Sequence, residues 1–505
     1  NDTLLWYARG VVALQARALN DPTSWRYLAA MHGFDPDLWQ AFGYVGDSDA
    51  PPSAADQARD WQQCQHQSWY FLPWHRGYLA AFEAIVRAAV AAQGGPADWA
   101  LPYWNYSDSA DANALTFPPA FSAERLPDGT PNPLFVQRRY GDGSGKIVIR
   151  ALDVQLNALL QSHFTGTTSG GSTGFGGPQT RFHHSSPDGS GNGQLERQPH
   201  NGMHSLIGGI IANSDPQDGR NYGLMSMPET AALDPIFWLH HANIDRLWQV
   251  WLDRDPNHHD ESKAAWLTGP ADRAFAMPRP DGSSQRFTAQ DMLDTRAPAL
   301  DYGYEDTSDP FGGATRLDAR LTRLGVQPLA AAAAPEMHMA EPAPAELIGA
   351  NDAEVPLQGG PVETRVRLDR PTLDKVSRSF APEALAARRE PDRVFLNLEN
   401  IRGLNDATVF YVYVNLPDDA DPAAHPDHLA GVVSLFGVRK ASRVDDAHAG
   451  NGINEALEIT EVIDRLHLND ALDLDHLRVR FVPRTTIRPQ DRISIGRVRV
   501  YRQGR

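Results

Sequence analysis

Cysteine is nearly missing from this chain, since Cys64 is the only one among 505 residues. One cysteine cannot form an intramolecular disulfide, so disulfides do not stabilise the fold and the redox compartment stays open. Long apolar runs are missing as well, and the first residues, "NDTLLWYARG", lack the basic and then apolar segments of a signal peptide. These absences predict a soluble protein and favour the cytoplasm, with a removed leader as the alternative because the chain does not begin with Met.

Positive charge is also scarce. The chain has 46 Lys and Arg against 63 Asp and Glu, which gives a formal net charge of -17. An acidic surface repels phosphate backbones and anionic lipid, so neither nucleic acid nor a membrane is expected as a partner. A homo-oligomer stays open, because composition does not address it.

The length exceeds what one hydrophobic core supports and predicts two or more domains. Helical periodicity dominates the first 300 residues, as in "PWHRGYLAAFEAIVRAAVAAQGG", where Pro73 suits a first turn. In "DPIFWLHHANIDRLWQVWLDRDP", Asp234 is predicted as the N-cap and Pro235 as the first helical residue. We predict a mainly α domain over residues 1–310, with surface loops in the Gly- and Ser-rich residues 141–199.

The composition and the residue pattern of the chain change in its last third. Residues 311–350 include "QPLAAAAAPEMHMAEPAPAE", whose Ala and Pro bias is typical of a linker or of a strap over a surface. Segments such as "ATVFYVYVNLP" and "ISIGRVRVYR" then alternate apolar and polar residues between turn-rich gaps. Residues 351–505 are therefore predicted to form an antiparallel β-sandwich or barrel.

Histidine spacing is informative in the helical part. His200 and His204, in "PHNGMH", are four apart and would lie on one helix face, which suits metal chelation but also occurs on solvated surfaces. His241 falls on the same predicted face as Phe237 and Trp248. A histidine buried there needs a hydrogen-bond partner or a metal to offset its desolvation.

His66 and His75 form a second pair, and His32, in "MHGFD", offers a third imidazole. Six imidazoles without an obvious carboxylate ligand indicate copper or zinc, because hard ions prefer oxygen. Zinc would normally work singly, with one open position. Two sites of three histidines fit two coppers that bind O2 between them.

These segments resemble the type-3 copper family, which comprises tyrosinases, catechol oxidases and haemocyanins. "HQSWYFLPWHRGYLAAFE" is similar to the first copper motif of the family, "PHNGMH" followed by "LDPIFWLHHANIDRLW" to the second, and "YLAAMHGFD" to the segment that carries the first ligand. The resemblance implies a four-helix bundle that holds a dicopper site, with O2 as co-substrate. It assigns His32, His66 and His75 to copper A and His200, His204 and His241 to copper B, and it leaves His240 beside the ligands.

The resemblance also explains the position of Cys64. In fungal-type members a cysteine two residues before the second copper A histidine is joined to it by a thioether, which implies a crosslink from Cys64 to His66. The crosslink would fix the imidazole as hydrogen bonds usually fix a metal-bound histidine. The alternative is a buried free thiol that packs as a small apolar residue.

Further roles follow from the same resemblance. Asn201 and Glu196 would hold a water that takes the proton of a phenol, whereas a solvated loop carboxylate is the alternative for Glu196. Phe237 would stack near the copper B ligands, and Asp245 would orient a ligand imidazole unless it serves ordinary helix packing. The remaining predicted pocket residues are Pro228, which would act as a small gate, and Ser205.

The end of the chain carries two looser similarities. "DYGYED" is similar to the tyrosine motif that closes the catalytic domain of the family near an N-terminal arginine, here Arg9. "FYVYVNLP" and "ISIGRVRV" resemble the lid domain of plant-type polyphenol oxidases, which would cover the copper mouth and insert a side chain that the sequence does not identify. In the linker, Met337, His338 and Met339 would pass Cu(I) to the site or are a chance cluster.

The resemblance implies a tyrosinase, which hydroxylates monophenols at the ortho position with O2 and oxidises catechols to o-quinones. Small phenols would then be its substrates. The alternatives are a catechol oxidase without monophenolase activity, a haemocyanin-like O2 carrier, which the lack of repeated units disfavours, and a non-catalytic copper protein.

Overall fold

A computed structural model describes residues 2–183, 191–313, 316–326, 344–381, 383, 391–444, 450–469, 473 and 475–504. Met337, His338 and Met339 lie outside the described residues, so the copper-passing hypothesis stays a prediction. Within the described residues, no helix is both long and apolar enough to cross a bilayer.

Helices dominate the first part of the chain. The longest two, α5 and α8, cross the core, and the ring of Trp238 in α8 stacks on Phe82 of α5 with centroids 3.5 Å apart. Asp234 caps α8 by accepting from the Ile236 N–H, as predicted. The described α-helices are α1 (Asp2–Gln15), α2 (Trp25–His32), α3 (Pro36–Ala41), α4 (Ala54–Asp60), α5 (Phe71–Ala92), α6 (Pro119–Ser122), α7 (Gly202–Gly208), α8 (Pro235–Arg254), α9 (Ala264–Leu267), α10 (Arg316–Arg323), α11 (Arg370–Ser379), α12 (Val438–Ala441) and α13 (Thr460–Leu468).

An antiparallel sheet forms the C-terminal part. Its strands follow the order β10-β9-β12-β7-β5-β13-β8-β11, with β6 also paired to β13, and the two end strands, β10 and β11, lie against each other. The nearly closed sheet has a separate apolar core of alternating Val, Leu and Ile. The described strands are β1 (Thr165–Gly166), β2 (Gly177–Pro178), β3 (Phe275–Pro278), β4 (Ser284–Phe287), β5 (Ala345–Ala350), β6 (Val355–Leu357), β7 (Val362–Leu368), β8 (Arg393–Arg402), β9 (Val409–Val414), β10 (Leu429–Ser434), β11 (Ile453–Glu458), β12 (His476–Pro483) and β13 (Ile493–Gln503).

The predicted fold class, a mainly α domain followed by an antiparallel β-sandwich or barrel, is confirmed, and the sheet is the nearly closed barrel of these two alternatives. The predicted linker is more structured than expected, because β5 pairs with β7 and β13 and so belongs to the sheet. Helix α10 is also held to the β domain, since Arg320 donates to the buried carboxylate of Asp464 at 2.9 Å. The domain limits themselves stay a prediction.

The β domain covers the helical domain through polar contacts as well as apolar ones. The Ser434 hydroxyl donates to the carbonyl of Asn201 at 2.9 Å, and Arg197 donates to the carbonyl of Val432 at 3.1 Å. Tyr411 of β9 donates to Asp153 at 3.0 Å. The covered surface includes the segment that carries His200 and His204.

Candidate metal centre

Cluster A consists of His32, His66 and His75. His32 ends α2, His75 lies in the first turns of α5, and His66 lies on the loop before α5. The Nδ1 atoms of His32 and His75 donate to the carbonyls of Pro228 and Phe71 at 2.8 and 2.7 Å. Because a carbonyl only accepts, the proton of these rings is on Nδ1 and the lone pair is on Nε2.

The third ring of cluster A is held by a carboxyl group. His66 Nδ1 lies 3.0 Å from Glu196 Oε1, and the same carboxyl accepts from the Gln67 N–H at 2.8 Å. The His66 side chain is 20% exposed, whereas His32 and His75 are buried. His66 is therefore the most accessible imidazole of cluster A.

Cluster B consists of His200, His204 and His241. An irregular turn, Glu196–Asn201, places His200 directly before α7, which carries His204, and α8 carries His241. The three Nε2 atoms lie 3.1, 3.3 and 3.3 Å from one another. Three nitrogens bound to one ion at about 2.0–2.1 Å would be separated by about 3.3–3.6 Å, so this spacing fits a metal at the centre.

Hydrogen bonds also set the direction of the cluster B lone pairs. His204 Nδ1 donates to the Met225 carbonyl at 2.9 Å, and His200 Nδ1 donates to Asn201 Oδ1 at 2.8 Å. Such contacts fix the tautomer of a metal-bound histidine. Asn201 thus orients His200 in the structure, in addition to its predicted contact with water.

Burial keeps all six imidazoles neutral. It lowers the pKa of every ring in the two clusters, to about 3 for His32 and His66. Among the described residues, the buried Nε2 atoms of His32 and His66 have no hydrogen-bond partner. Neutral imidazoles with free, converging lone pairs are ligands for copper or zinc, and a bound ion would satisfy them.

The two clusters are adjacent. His75 and His241 stack with ring centroids 4.5 Å apart and an interplanar angle of 14°, and the His66 and His200 rings are 5.6 Å apart. Phe237 lies beside both sets, with centroids 4.1 Å from His241 and 4.9 Å from His32. The arrangement can hold two metal ions side by side, as expected for a dicopper centre.

His240 competes with its neighbour His241 for a ligand role. His241 Nε2 points at the two other cluster B nitrogens, whereas His240 Nδ1 lies 3.2 Å from the Tyr106 hydroxyl. This geometry favours His241 as the ligand, and the predicted role of His240 as a neighbour stays consistent with its contact to Tyr106.

Cys64 lies within cluster A. Its Sγ is 3.5 Å from His75 Nε2, and the thiol sulfur and the ligand nitrogens of the cluster lie within 4.8 Å of one another. Burial raises the pKa of the thiol well above its ordinary value. The sulfur is thus near the predicted partner His66, and the thioether itself stays a prediction.

A cavity of about 60 Å³ borders cluster A, through His66, and the turn that carries His200. It is lined by His66, Glu196, Asn201, Pro228 and Phe436, among other residues. Burial raises the pKa of Glu196 to about 8. The loop position predicted for Glu196 is therefore a buried one, and its carboxyl group faces both a cluster A ligand and the cavity.

Comparison with known proteins identifies the family. The tyrosinase HcTyr1 of Hahella sp. (strain CCB-MM4) is 32% identical over 512 residues, which covers 99% of this chain and 97% of that protein. The chain belongs to the tyrosinase family. The common central domain of tyrosinase matches residues 22–254, which contain both clusters, and a domain of unknown function matches residues 344–503. The family implies a dicopper site, and the two clusters fit it.

Plant relatives cover the β domain too. A chloroplastic polyphenol oxidase of Malus domestica is 25% identical over 91% of this chain and 70% of its own length. The structure of a latent apple tyrosinase is similar with a TM-score of 0.60 at 21% identity, covering 99% of this chain and 94% of that chain. A latent aurone synthase matches with a TM-score of 0.58 at 19% identity over 99% of this chain and 87% of that chain. The two-domain fold is therefore shared with the plant enzymes.

Phe436 is a residue of the β domain that contacts the histidine clusters of the tyrosinase centre. It follows β10, and its ring stacks on His204 with centroids 4.3 Å apart and an interplanar angle of 19°. It also lies 5.8 Å from the His66 ring. Sequence reasoning missed it, although "SLFG" places an aromatic residue between an alternating strand and Gly437, whose φ of +80° turns the chain.

Three sequence predictions place residues incorrectly. Asp245 contacts no histidine among its described hydrogen bonds, because Arg76, Tyr302 and Tyr304 donate to its carboxylate. These tyrosines belong to "DYGYED", the motif that was predicted to pack near Arg9. In the structure the motif contacts Asp245, which is paired with Arg76, instead.

Arg9 lies over the Trp6 ring instead, 4.4 Å from its centroid. Ser205 faces the β domain, where its hydroxyl donates to the Asp406 carbonyl at 2.8 Å and lies 2.8 Å from the Ser434 hydroxyl. Ser205 therefore belongs to the contact between the domains rather than to the substrate pocket.

Proposed function

We propose that this protein is a tyrosinase that hydroxylates monophenols at the ortho position and oxidises catechols to o-quinones. The observation that supports the proposal most is the pair of adjacent clusters of three histidines, in which the cluster B Nε2 atoms lie 3.1–3.3 Å apart and His66 of cluster A borders a cavity. Two bound copper ions would supply the O2 chemistry, and clusters A and B would hold one ion each.

The residues around the clusters would orient the ligands and the phenol. Asn201 holds His200 in one tautomer, and Glu196 holds His66, so each of these two cavity-lining side chains fixes one imidazole. A phenol hydroxyl or a water in this cavity would meet the Glu196 carboxyl and the Asn201 amide. Proton removal from a monophenol would therefore depend on these two residues more than oxidation of a catechol, which has a second oxygen to bind.

The β domain would act as a lid on this site. The Phe436 ring stacks on His204, where an aromatic substrate would have to approach cluster B. Pro228 borders the same cavity, and its carbonyl accepts from His32, so the small gate is tied to a ligand. We infer that the full chain turns over bulky phenols slowly as long as the Phe436 ring covers His204.

Oxygen uptake on L-tyrosine and on L-DOPA tests the assignment, with the copper-loaded full chain and a Phe436→Ala variant measured in parallel. A tyrosinase turns over both substrates. Turnover of L-DOPA alone would make the protein a catechol oxidase, and reversible O2 binding without turnover of either substrate would make it a carrier.

Two further variants test the role of the proton acceptors. Asn201→Ala and Glu196→Gln should lower turnover of the monophenol more than turnover of the catechol. Gln198→Ala, in the same turn but hydrogen-bonded to the Leu152 carbonyl, is the matched control. Equal losses on both substrates would mean that Asn201 and Glu196 only support the ligands.

A further inference from the structure

A second group of possible ligands lies on the β domain, in the turn between β9 and β10. His425, Asp427 and His428 place one ligand atom each within 4.8 Å of one another, and the two imidazole centroids are 5.9 Å apart. Pro426 occupies the first position of the short 3-10 helix Pro426–His428 and fixes the spacing, because its ring locks φ. The cluster is open to solvent, since the Asp427 side chain is 51% exposed.

The hydrogen bond of His428 points to a metal independently of this spacing. His428 Nδ1 donates to the Val414 carbonyl at 2.8 Å, so the lone pair of the neutral ring is on Nε2. Nε2 lies 3.8 Å from Asp427 Oδ2, which is too far for a hydrogen bond and close enough for both atoms to bind one ion. A backbone carbonyl behind one ring nitrogen and a free lone pair on the other is the usual setting of a metal-bound histidine.

The chemistry of the three donors selects the ion. Two imidazoles and one carboxylate suit Zn²⁺ or Cu²⁺, whereas Ca²⁺ takes six or more oxygen ligands and Mg²⁺ is bound mainly by carboxylates, phosphates and water. The same loop carries Asp419 and Asp421 a few positions earlier in the sequence. We propose that His425, Asp427 and His428 bind one divalent transition-metal ion, separate from clusters A and B.

A bound ion would act on the strand that ends at the tyrosinase centre. His428 immediately precedes β10, and the six residues of that strand span about 20 Å toward Phe436. The ion would join this end of β10 to β9 through the contact of His428 with Val414. Metal binding should therefore raise the thermal stability of the full chain without contributing to the oxidase reaction.

Electron paramagnetic resonance of Cu²⁺ tests the proposal on copper-loaded full-length protein without a purification tag. Cu²⁺ is titrated into the protein and into a His425→Ala/His428→Ala variant, and the difference between their spectra isolates this site from clusters A and B. We expect the full chain to show one additional mononuclear Cu²⁺ with coupling to two nitrogens. The double variant should bind that ion at least tenfold more weakly.

His259→Ala is the matched control, because it removes an exposed imidazole of the helical domain. It should leave the additional signal unchanged, and both variants should retain the circular dichroism and L-DOPA turnover of the full chain. Zn²⁺ added in place of the extra Cu²⁺ should raise the melting temperature of the full chain but not of the double variant. A full chain without the additional signal, or a double variant that binds the ion as tightly as the full chain, would overturn the proposal.

Discussion

Clusters A and B each contain three imidazoles but hold them in different ways. The ligands of cluster B come from an irregular turn, α7 and α8, and their Nε2 atoms lie 3.1–3.3 Å apart. Cluster A draws His66 from a loop, and this side chain is 20% exposed. At cluster B, the positions of the ligands are thus set largely by helices. At cluster A, they also depend on the contacts that fix the loop carrying His66.

The surroundings of the clusters differ accordingly. At cluster A, the Glu196 carboxyl and the buried Cys64 sulfur lie beside the loop ligand. At cluster B, Phe436 of the other domain covers His204. Cluster A therefore needs local restraints on a ligand, whereas access to cluster B is limited by a covering residue.

The largest effect is expected from a substitution that removes a histidine ligand on a helix. His241→Ala should abolish oxidase activity and lose one copper per chain while the fold persists, since α8 keeps its buried apolar residues. His240→Ala should retain both coppers, because its ring faces Tyr106. Copper counting by atomic absorption, together with oxygen uptake, measures both, and the reverse pattern would reassign the ligand.

The next effect concerns the restraint on the loop ligand. Cys64→Ser should weaken copper binding at cluster A by about 10–100-fold, the usual cost of losing an outer support, and leave cluster B loaded. Peptide mass spectrometry of the native chain should find the Cys64 and His66 peptides joined, lighter by two hydrogens. Labelling of a free Cys64 thiol in the unfolded, copper-loaded protein would contradict the crosslink.

A smaller effect should come from opening cluster B. Phe436→Ala should raise turnover of bulky phenols by the full chain several-fold, because the ring on His204 is removed. Tyr501→Ala is the matched control, since this aromatic of the β domain packs on Gly170 of the helical domain, away from Phe436. Equal activation by both variants would mean that loosening the domains matters and that Phe436 has no particular role.

The smallest effect concerns the contact that keeps the domains together. Glu455 of β11 is buried, accepts from Asn192 at 2.6 Å, and lies near the guanidinium of Arg197 and the carboxyl group of Glu196. Burial raises the pKa of Glu455 from 4.5 to about 8. The folded state therefore keeps a proton that the unfolded state loses, so this group lowers stability as pH rises from about 4.5 to about 8.

Glu455→Gln removes that dependence. The variant should be more stable than the parent chain at pH 8 by on the order of 2 kcal/mol, and the difference should shrink toward pH 5. Urea unfolding at the two pH values measures it, with Glu399→Gln on β8 as a more exposed control. A difference that does not change with pH would show that Glu455 does not titrate in this range.

Most of the correct predictions about the site came from local sequence patterns. The four-residue spacing of His200 and His204, and the place of His241 on a helix face, follow from helix geometry alone. The contact of Phe436 with cluster B could not be predicted in this way, because a loop of one domain meets a cluster of another only through tertiary packing. Asp245 was misassigned for the same reason, since its partners Tyr302 and Tyr304 lie almost 60 positions away in the chain.

The ion pair of Asp245 and Arg76 has one further consequence. Arg76 directly follows His75 in α5, and Asp245 lies one turn after His241 in α8, so the 2.7 Å contact joins the helix of one metal to the helix of the other. Arg76 is fully buried and lies over the Trp248 ring at 3.6 Å, so its guanidinium contacts α8 through an aromatic ring as well as through a carboxylate. The separation of the two metals would thus be set by a pair of charges that bind neither of them.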